Sequence, residues 1–280
     1  MGKHYIPKYY LKSFLDEKRN TIFVYNTDGS RFELNSLDNI AQEKEMYSEE
    51  TELFLTNEIE QPANFLLDKL REKASLSNEE KYIFSTYMYN IYSRTPDSYE
   101  GYKESAPEFL DMLKKEEMSK LERMIGLNGA NKEIIDRRKG ELNDVIEELK
   151  KNPPKEAWEN SLSPIHSNKS AKAMSEMNWV LFYEDIDCFV TCDRPLFHFK
   201  EIGLVNKFSE FSFPLSPRLA LWGSWRTDIN QYQIRANNSI IKNLNNRTLS
   251  RVFRHAFFPK EKNWVSKVMK KDNFKFSLIS

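Results

Sequence analysis

The sequence predicts an α+β fold: a mostly helical N-terminal half with a small hairpin, a long helical hairpin insertion, and an antiparallel sheet with helices in the C-terminal half. Three observations carry this. Apolar residues recur at helical spacing through the first half. Residues 99–152 read as two long helical arms. After residue 178 the pattern changes to short strand-like runs separated by turn residues. At about 150 residues per domain, 280 residues make about two.

The opening HYIPKYYLKSF is dense in aromatics; after Pro7, the side chains of Tyr9, Tyr10, Leu11 and Phe14 pack one side of a short helix. TIFVYNTDGSRFELN reads as a β-hairpin, with Asp28-Gly29 as its turn. Leu53, Phe54, Leu55 and Ile59 lie on an acidic helix over Ser48 to Glu60, which Pro62 kinks or restarts before Phe65, Leu66, Leu67 and Leu70 continue it. Ser77 and Glu80 form a capping box. Beyond it Ile83, Phe84, Tyr87, Met88, Ile91 and Tyr92 make an apolar stripe, and Arg94-Thr95-Pro96 ends the helix.

In the insertion, Leu110, Leu113, Leu121, Met124 and Ile125 lie on the first arm, and Ile135, Leu142, Val145, Ile146 and Leu149 on the second. Asn128-Gly129 breaks between them. The partly heptad spacing suits packing within the chain, or a helical partner or homodimer. Asn152-Pro153-Pro154 closes the block. A helix follows near Ser167 to Met177. NWVLFYED and DCFVTCDRP then read as two adjacent strands turning at Glu184 to Asp187, and FSEFSFPLSP and RLALWGSW as two more. Asn237 to Arg254 is helical, HAFFP is a short strand and Lys262 to Lys271 a terminal helix.

Composition removes several classes. Aromatics at 13% argue against a disordered chain. No run of about 18 apolar residues is present, so no membrane span is expected, and MGKHYIPKYY lacks the apolar core of a secretory signal. A cytoplasmic protein with no membrane partner is the expectation. Two cysteines exclude a disulfide scaffold. With eight glycines and no GxGxxG or GxxxxGK[ST], the common phosphate-cradling loops are missing. Nor is there a GxSxG elbow, an HExxH helix, or a Glu-x-Lys strand after Asp193.

The net charge is zero, but its distribution is uneven: Asp28 to Glu60 holds ten acids against two bases, and Arg235 to Lys275 eleven bases against two acids. The basic C-terminal third, with Arg247, Arg251 and Arg254, suits nucleic acid or is a solvated face.

Asp193 follows an apolar strand and precedes Arg194-Pro195, where a carboxylate serves as metal ligand or general base, or caps an Asx-type turn. His4 suits proton transfer or metal ligation, or is an ordinary surface histidine. Glu52 and Glu60, eight apart, share a helix face that binds a divalent cation such as Mg or Mn, or faces solvent. Arg94 clamps a phosphate or carboxylate, caps its helix, or pairs with one of those glutamates. Ser216, Asn243 and Asn245 suit turn and cap roles. Cys188 and Cys192, roughly 13 Å apart along a strand, are too distant to bridge, and His166, His198 and His255 lack metal-ligand spacing.

Six segments in order resemble one family. HYIPKYYLKSF resembles a His-Tyr-x-Pro-x-x-Tyr-Leu-x-x-Phe start, and YSEETELFLTNEIEQP a Tyr-Ser, Glu, Ile-Glu helix. NIYSRTP resembles an Arg-Thr-Pro helix end, FVTCDRPL a Phe-x-Thr-Ser-Asp-x-Pro turn, and FPLSPRLAL a Pro-Leu-Ser-Pro segment. IIKNLNNRTLSRVFRHAFF resembles a Leu-Asn helix leading to a closing strand. Together they are similar to the bacterial family named domain of unknown function 4238, from His4 to about Phe258, with 100–165 matched least. Cys192 departs from the serine of that pattern. The resemblance implies one composite domain over 1–280, with 99–152 inserted and 155–280 completing the core. It singles out His4, where the motif begins, and implies no activity.

Two functions from different classes follow. In the first, His4, Glu60, Arg94 and Asp193 converge on a metal-dependent nuclease or related phosphodiester hydrolase. Glu60 and Asp193 hold the metal, and the basic third holds nucleic acid. A bacterial toxin or phage-defence effector fits such a design. In the second, the chain is a non-enzymatic module that binds a protein through the helical hairpin.

Overall fold

The computed structural model describes residues 2–34, 36–38, 40–128, 131–163, 169–270 and 274–279. About 48% of the chain is helix and 16% strand, with antiparallel and mixed sheets, so the fold is α+β. The chain divides into two compact units, Met1–Thr95 with Pro164–Ser280, and Pro96–Ser163.

The larger unit begins with strand β1 (Lys3–His4), helix α1 (Lys8–Lys12), and the hairpin β2 (Ile22–Asn26) and β3 (Arg31–Leu34). Gly29 takes φ +85° at the tip, and Asp28 Oδ1 accepts the Ser30 amide at 2.8 Å. Strand β4 (Gln42–Glu43) returns to pair antiparallel with β1, His4 opposite Gln42.

Helix α2 (Glu49–Phe54) is capped by Ser48 and runs into a π-helical turn, Leu55–Glu60, before α3 (Gln61–Arg71). Pro62 lies in the first turn of α3, where its missing N–H costs least. Helical structure continues through this region, with a π-helical turn just before the proline. Its i→i+5 bonding advances fewer degrees per residue than an α-helix and so rephases Glu60 against Glu52. Helix α4 (Asn78–Ser93) opens with the Ser77–Glu80 capping box and buries Phe84, Tyr87, Met88 and Ile91.

The Pro96–Ser163 unit consists of α5 (Pro96–Asn128), α6 (Lys132–Lys151) and α7 (Lys155–Ser161). Ion pairs Asp111–Lys150, Lys114–Glu147 and Glu122–Lys139 run in opposite order along α5 and α6, so the two helices are antiparallel. Trp158 packs on Tyr99 at 4.9 Å. The break expected at Asn128-Gly129 lies partly outside the described residues, as does His166.

Back in the larger unit come α8 (Lys169–Glu176), β5 (Asn178–Tyr183), β6 (Thr191–Cys192), β7 (Phe197–His198), β8 (Glu210–Ser216), β9 (Leu219–Ser224) and β10 (Gln233–Arg235). Helix α9 (Asn238–Leu249), strand β11 (His255–Phe258) and helix α10 (Asn263–Met269) complete it. One sheet has the order β10-β5-β9-β8-β7, antiparallel except for the parallel β10–β5 pair; the other is β3-β2-β11-β6, antiparallel throughout.

The β8–β9 hairpin matches the sequence reading, but the expected pairing of NWVLFYED with DCFVTCDRP does not form. β5 pairs with β9 and β10, whereas Thr191–Cys192 pairs with β11 in the other sheet. The crossing is set by alternating side chains. Phe189 packs in the core under the five-stranded sheet with Phe182, Trp222 and Leu244. Val190 and Cys192 pack in the other core with Tyr25, Ala256 and Phe258. Tyr10 ties α1 to both sheets, with its hydroxyl 2.6 Å from Thr191 Oγ1 and donating to Pro214 O at 2.7 Å. Among the described residues no helix is long and apolar enough to cross a membrane.

Candidate functional site

Arg94 caps the C-terminus of α4 and is 1% exposed. Its Nη1 lies 2.7 Å from Glu60 Oε1 at the end of the π turn, and its Nε donates to the Tyr5 carbonyl at 3.1 Å. Its Nη2 is buried and has no hydrogen-bond acceptor among the described residues. A buried guanidinium nitrogen without an acceptor is costly, and Arg247 Nη1 is in the same state. Burial, the largest single influence, opposes the charge of Arg94, but Glu60 together with Tyr47 and Tyr87 raises its pKa overall.

Three polar side chains surround the pair. Tyr47, 2% exposed, donates its hydroxyl to the His4 carbonyl at 2.8 Å. Glu52, half-buried on α2, has its carboxyl pushed above the usual range, first by burial and further by the Glu60 charge, against the pull of Arg94. His4, half-buried on β1, is pushed below its ordinary value by burial and by Lys8, against Asp38 and Glu60. Its Nε2 lies 3.4 Å from Leu37 O. A carbonyl only accepts, so Nε2 carries the proton and Nδ1 the lone pair. The site thus holds a carboxyl with a raised pKa and an imidazole with a lowered one, both within the electrostatic reach of the Arg94–Glu60 pair.

A cavity of about 670 Å³, lined among others by Lys8, Lys12, Leu37, Asp38, Arg71 and Ser216, includes the partner of His4 but none of His4, Glu52, Glu60 and Arg94 themselves. Leu37 is the hydrogen-bond partner of His4, and Lys8 and Asp38 are its charged neighbours. Its charged lining is balanced: Lys8, Lys12 and Arg71 stand against Asp16, Glu17 and Asp38, and Lys8 is paired with Asp38 at 2.5 Å.

Asp193 stands apart from this arrangement. It is 1% exposed; Oδ1 accepts Phe253 N at 2.9 Å, and Oδ2 accepts Arg254 N at 2.6 Å and His255 N at 2.9 Å. Burial pushes its carboxyl up and the three amides pull it back. The carboxylate expected to face a metal or substrate instead bridges two segments sixty residues apart and fixes the start of β11. It is not an Asx turn either, since its donors are remote in sequence. Among the described residues no group of three or more His, Cys, Asp or Glu is placed to hold a metal ion.

The basic third divides in the same way. Arg247, expected on a nucleic-acid surface, is wholly buried: its Nη2 lies 2.5 Å from Glu210 Oε2, and its guanidinium sits 5.2 Å from the Phe197 ring. Arg254 is 44% exposed and paired with Glu43 at 2.6 Å. Arg251 is half-buried, 5.7 Å from the Tyr92 ring. Beside it burial and the positive charge of Arg251 and Lys200 push His198 down to about 4.

Other polar residues serve the architecture. Asn245 accepts from Val190 N at 2.9 Å and donates to Cys188 O at 2.7 Å, holding the crossing strand. Ser216 Oγ accepts the Arg218 amide at 3.2 Å in the β8–β9 turn. His255 Nδ1 lies 2.8 Å from Asn26 Oδ1. Both cysteines are free thiols, Cys188 pushed up to about 12 by burial. Tyr47 and Glu210 were missed by sequence reasoning. Glu210 did leave a signal, a lone acid in the apolar strand run EFSFPLS.

Residues 3–267 match the family described as Protein of unknown function (DUF4238), and the chain belongs to that family. No curated protein and no solved structure matches it.

Proposed function

We propose that the protein cleaves phosphodiester bonds in nucleic acid by general acid–base catalysis at the His4–Glu52 site. The observation that supports this best is the buried Arg94–Glu60 pair, flanked by half-buried His4 and Glu52. In this reading His4 Nδ1 takes the proton of the attacking hydroxyl. Glu52, protonated, gives its proton to the leaving oxygen. Arg94, too buried to touch the substrate, holds Glu60 in place and sets a fixed positive charge behind the phosphoryl group. The divalent metal expected at Glu60 and Asp193 has no step here, because Arg94 occupies Glu60 and backbone amides occupy Asp193. Role as a toxin or defence effector follows if the substrate is cellular or phage nucleic acid.

The test is a cleavage panel of RNA, single-stranded DNA and duplex DNA, each with magnesium, manganese or a chelator. The expected result is cleavage that persists in chelator and is lost in Glu52→Gln. Cleavage that needs metal returns the argument to a metal-dependent nuclease. No cleavage of any substrate by folded protein ends the hydrolase reading.

A second reading, a module that binds another helix or a second copy, has one observation in its favour. In the helical unit the large apolar side chains of Phe109, Met112, Met124 and Val145 are exposed. Sedimentation of wild type against Phe109→Ser with Met112→Ser tests it; a concentration-dependent dimer abolished in the variant supports it.

A further inference from the structure

The strongest unassigned feature is a cleft of about 370 Å³ between α9, α10 and the crossing segment at Asp187-Cys188. One face of α9 forms a wall, where Asn238, Ile241, Lys242, Asn245 and Asn246 recur at spacings of three and four. Trp264 and Val268, four apart, line it from α10. The cleft lies at a seam. Cys188 and Ile241 are partly buried at the edge of the core under the five-stranded sheet. Trp264 and Val268 are partly buried at the edge of the other core. The apolar edges of the two cores therefore border one cavity.

Its charge is not balanced within the fold. Asp187, the one carboxylate among its described lining residues, is spent on Arg218 at 2.8 Å and Lys260 at 3.1 Å. Lys242 and Lys262 also line the cleft, and neither makes an ion pair among the described residues. A cleft with apolar walls and surplus charge of one sign favours a ligand of the other sign. The walls are fixed in place. Asn245 holds the Cys188 main chain at 2.7 Å, and Phe258 lies edge-on to Trp264 at 6.1 Å. The volume falls within the roughly 300–1,000 Å³ of small-molecule sites, which combine an apolar lining with a few polar groups.

We propose that this cleft binds a small amphipathic anion, with a flat aromatic body against Cys188, Ile241, Trp264 and Val268 and one carboxylate held by Lys242 and Lys262. This goes beyond the hydrolase reading and does not rest on it, since none of His4, Glu52, Glu60 and Arg94 lines the cleft.

The experiment titrates the full chain with 2-naphthoate by calorimetry and locates the ligand by thiol labelling with methyl methanethiosulfonate. Cys192 is wholly buried and Cys188 half-buried, so labelling of the folded protein reads Cys188. The expected result is saturable binding at one per chain, which slows Cys188 labelling in proportion to occupancy. The uncharged 2-naphthamide binds about tenfold more weakly. The acid loses the same factor in Lys242→Gln with Lys262→Gln, at about threefold for each partly solvated ion pair. An unchanged melting temperature shows that this variant is folded. Four outcomes overturn the proposal: no saturable binding up to millimolar 2-naphthoate, binding that leaves the Cys188 labelling rate unchanged, an amide that binds as tightly as the acid, or a folded double variant that binds as tightly as wild type.

Discussion

Arg94 and Arg247 are both wholly buried and both paired with a glutamate, yet their surroundings differ. Around Arg247 the partner is closed in, although its Nη1, like Nη2 of Arg94, is buried without an acceptor among the described residues. Glu210 is 2% exposed, and its carboxylate also accepts the Trp222 indole N–H at 3.0 Å and the Ile279 amide. Around Arg94 the pair is open on one side: Glu60 is 21% exposed, and His4 and Glu52 beside it are half-buried titratable groups. A closed pair of this kind has its charges consumed by the fold. An open one leaves charge and protons available to a ligand. The comparison teaches that burial alone does not separate architecture from chemistry; the exposure of the partner and its neighbours does.

Breaking the closed pair gives the largest effect. Arg247→Ala leaves Glu210 buried without its cation, and stability falls by about 3–5 kcal/mol, read by denaturant unfolding. Next comes Asp193→Ala, which strands three buried amides at about 1 kcal/mol or more each. Its unfolding midpoint drops, while turnover per folded molecule stays at the wild-type value. A selective loss of turnover would instead make Asp193 a reacting group. At the open pair the effect shifts from stability to rate: His4→Gln and Glu52→Gln each lower kcat by about 100-fold with an unfolding midpoint close to wild type. Glu60→Gln keeps a hydrogen-bond acceptor for Arg94 and lowers stability by only about 1 kcal/mol.

The smallest effect has a definite sign. The folded chain raises the Glu52 pKa, so its ionised form is disfavoured relative to the unfolded chain. The stability contributed by protonated Glu52 is complete below 4.5, its ordinary value, and is lost as pH rises through the folded value. Glu52→Gln therefore raises the melting temperature slightly at pH 7 and leaves it unchanged near pH 4. A variant destabilised equally at both pH values would contradict the assigned shift.

What the sequence made legible is what depends on near neighbours. The Asp28-Gly29 turn, the Ser77–Glu80 box and the buried stripe of α4 each need only a few adjacent residues, and each forms. The possibility that Arg94 pairs with one of the helix glutamates was also on the page, because Glu60 carries the right charge. Strand pairing was not, since nothing within DCFVTCDRP tells that Thr191–Cys192 joins β11 rather than β5. Asp193 read as a site because its three amide partners are about sixty residues away. Arg247 read as surface because it sits in a basic run, and only its pairing with Glu210 across the fold shows that it is core. Glu52 stood out in the sequence only as the acid eight before Glu60; its half-burial, which raises its pKa, distinguishes it from the exposed acids of α2.

The most direct test of the difference between the two pairs is the pH dependence of kcat/KM for nucleic-acid cleavage, in chelator, for wild type, His4→Gln and Glu52→Gln. A base lowered from 6.5 and an acid raised from 4.5 predict a bell-shaped profile. The acidic limb disappears in His4→Gln and the alkaline limb in Glu52→Gln. A profile with the same two limbs in all three proteins would contradict the account and return the Arg94–Glu60 pair to the architecture.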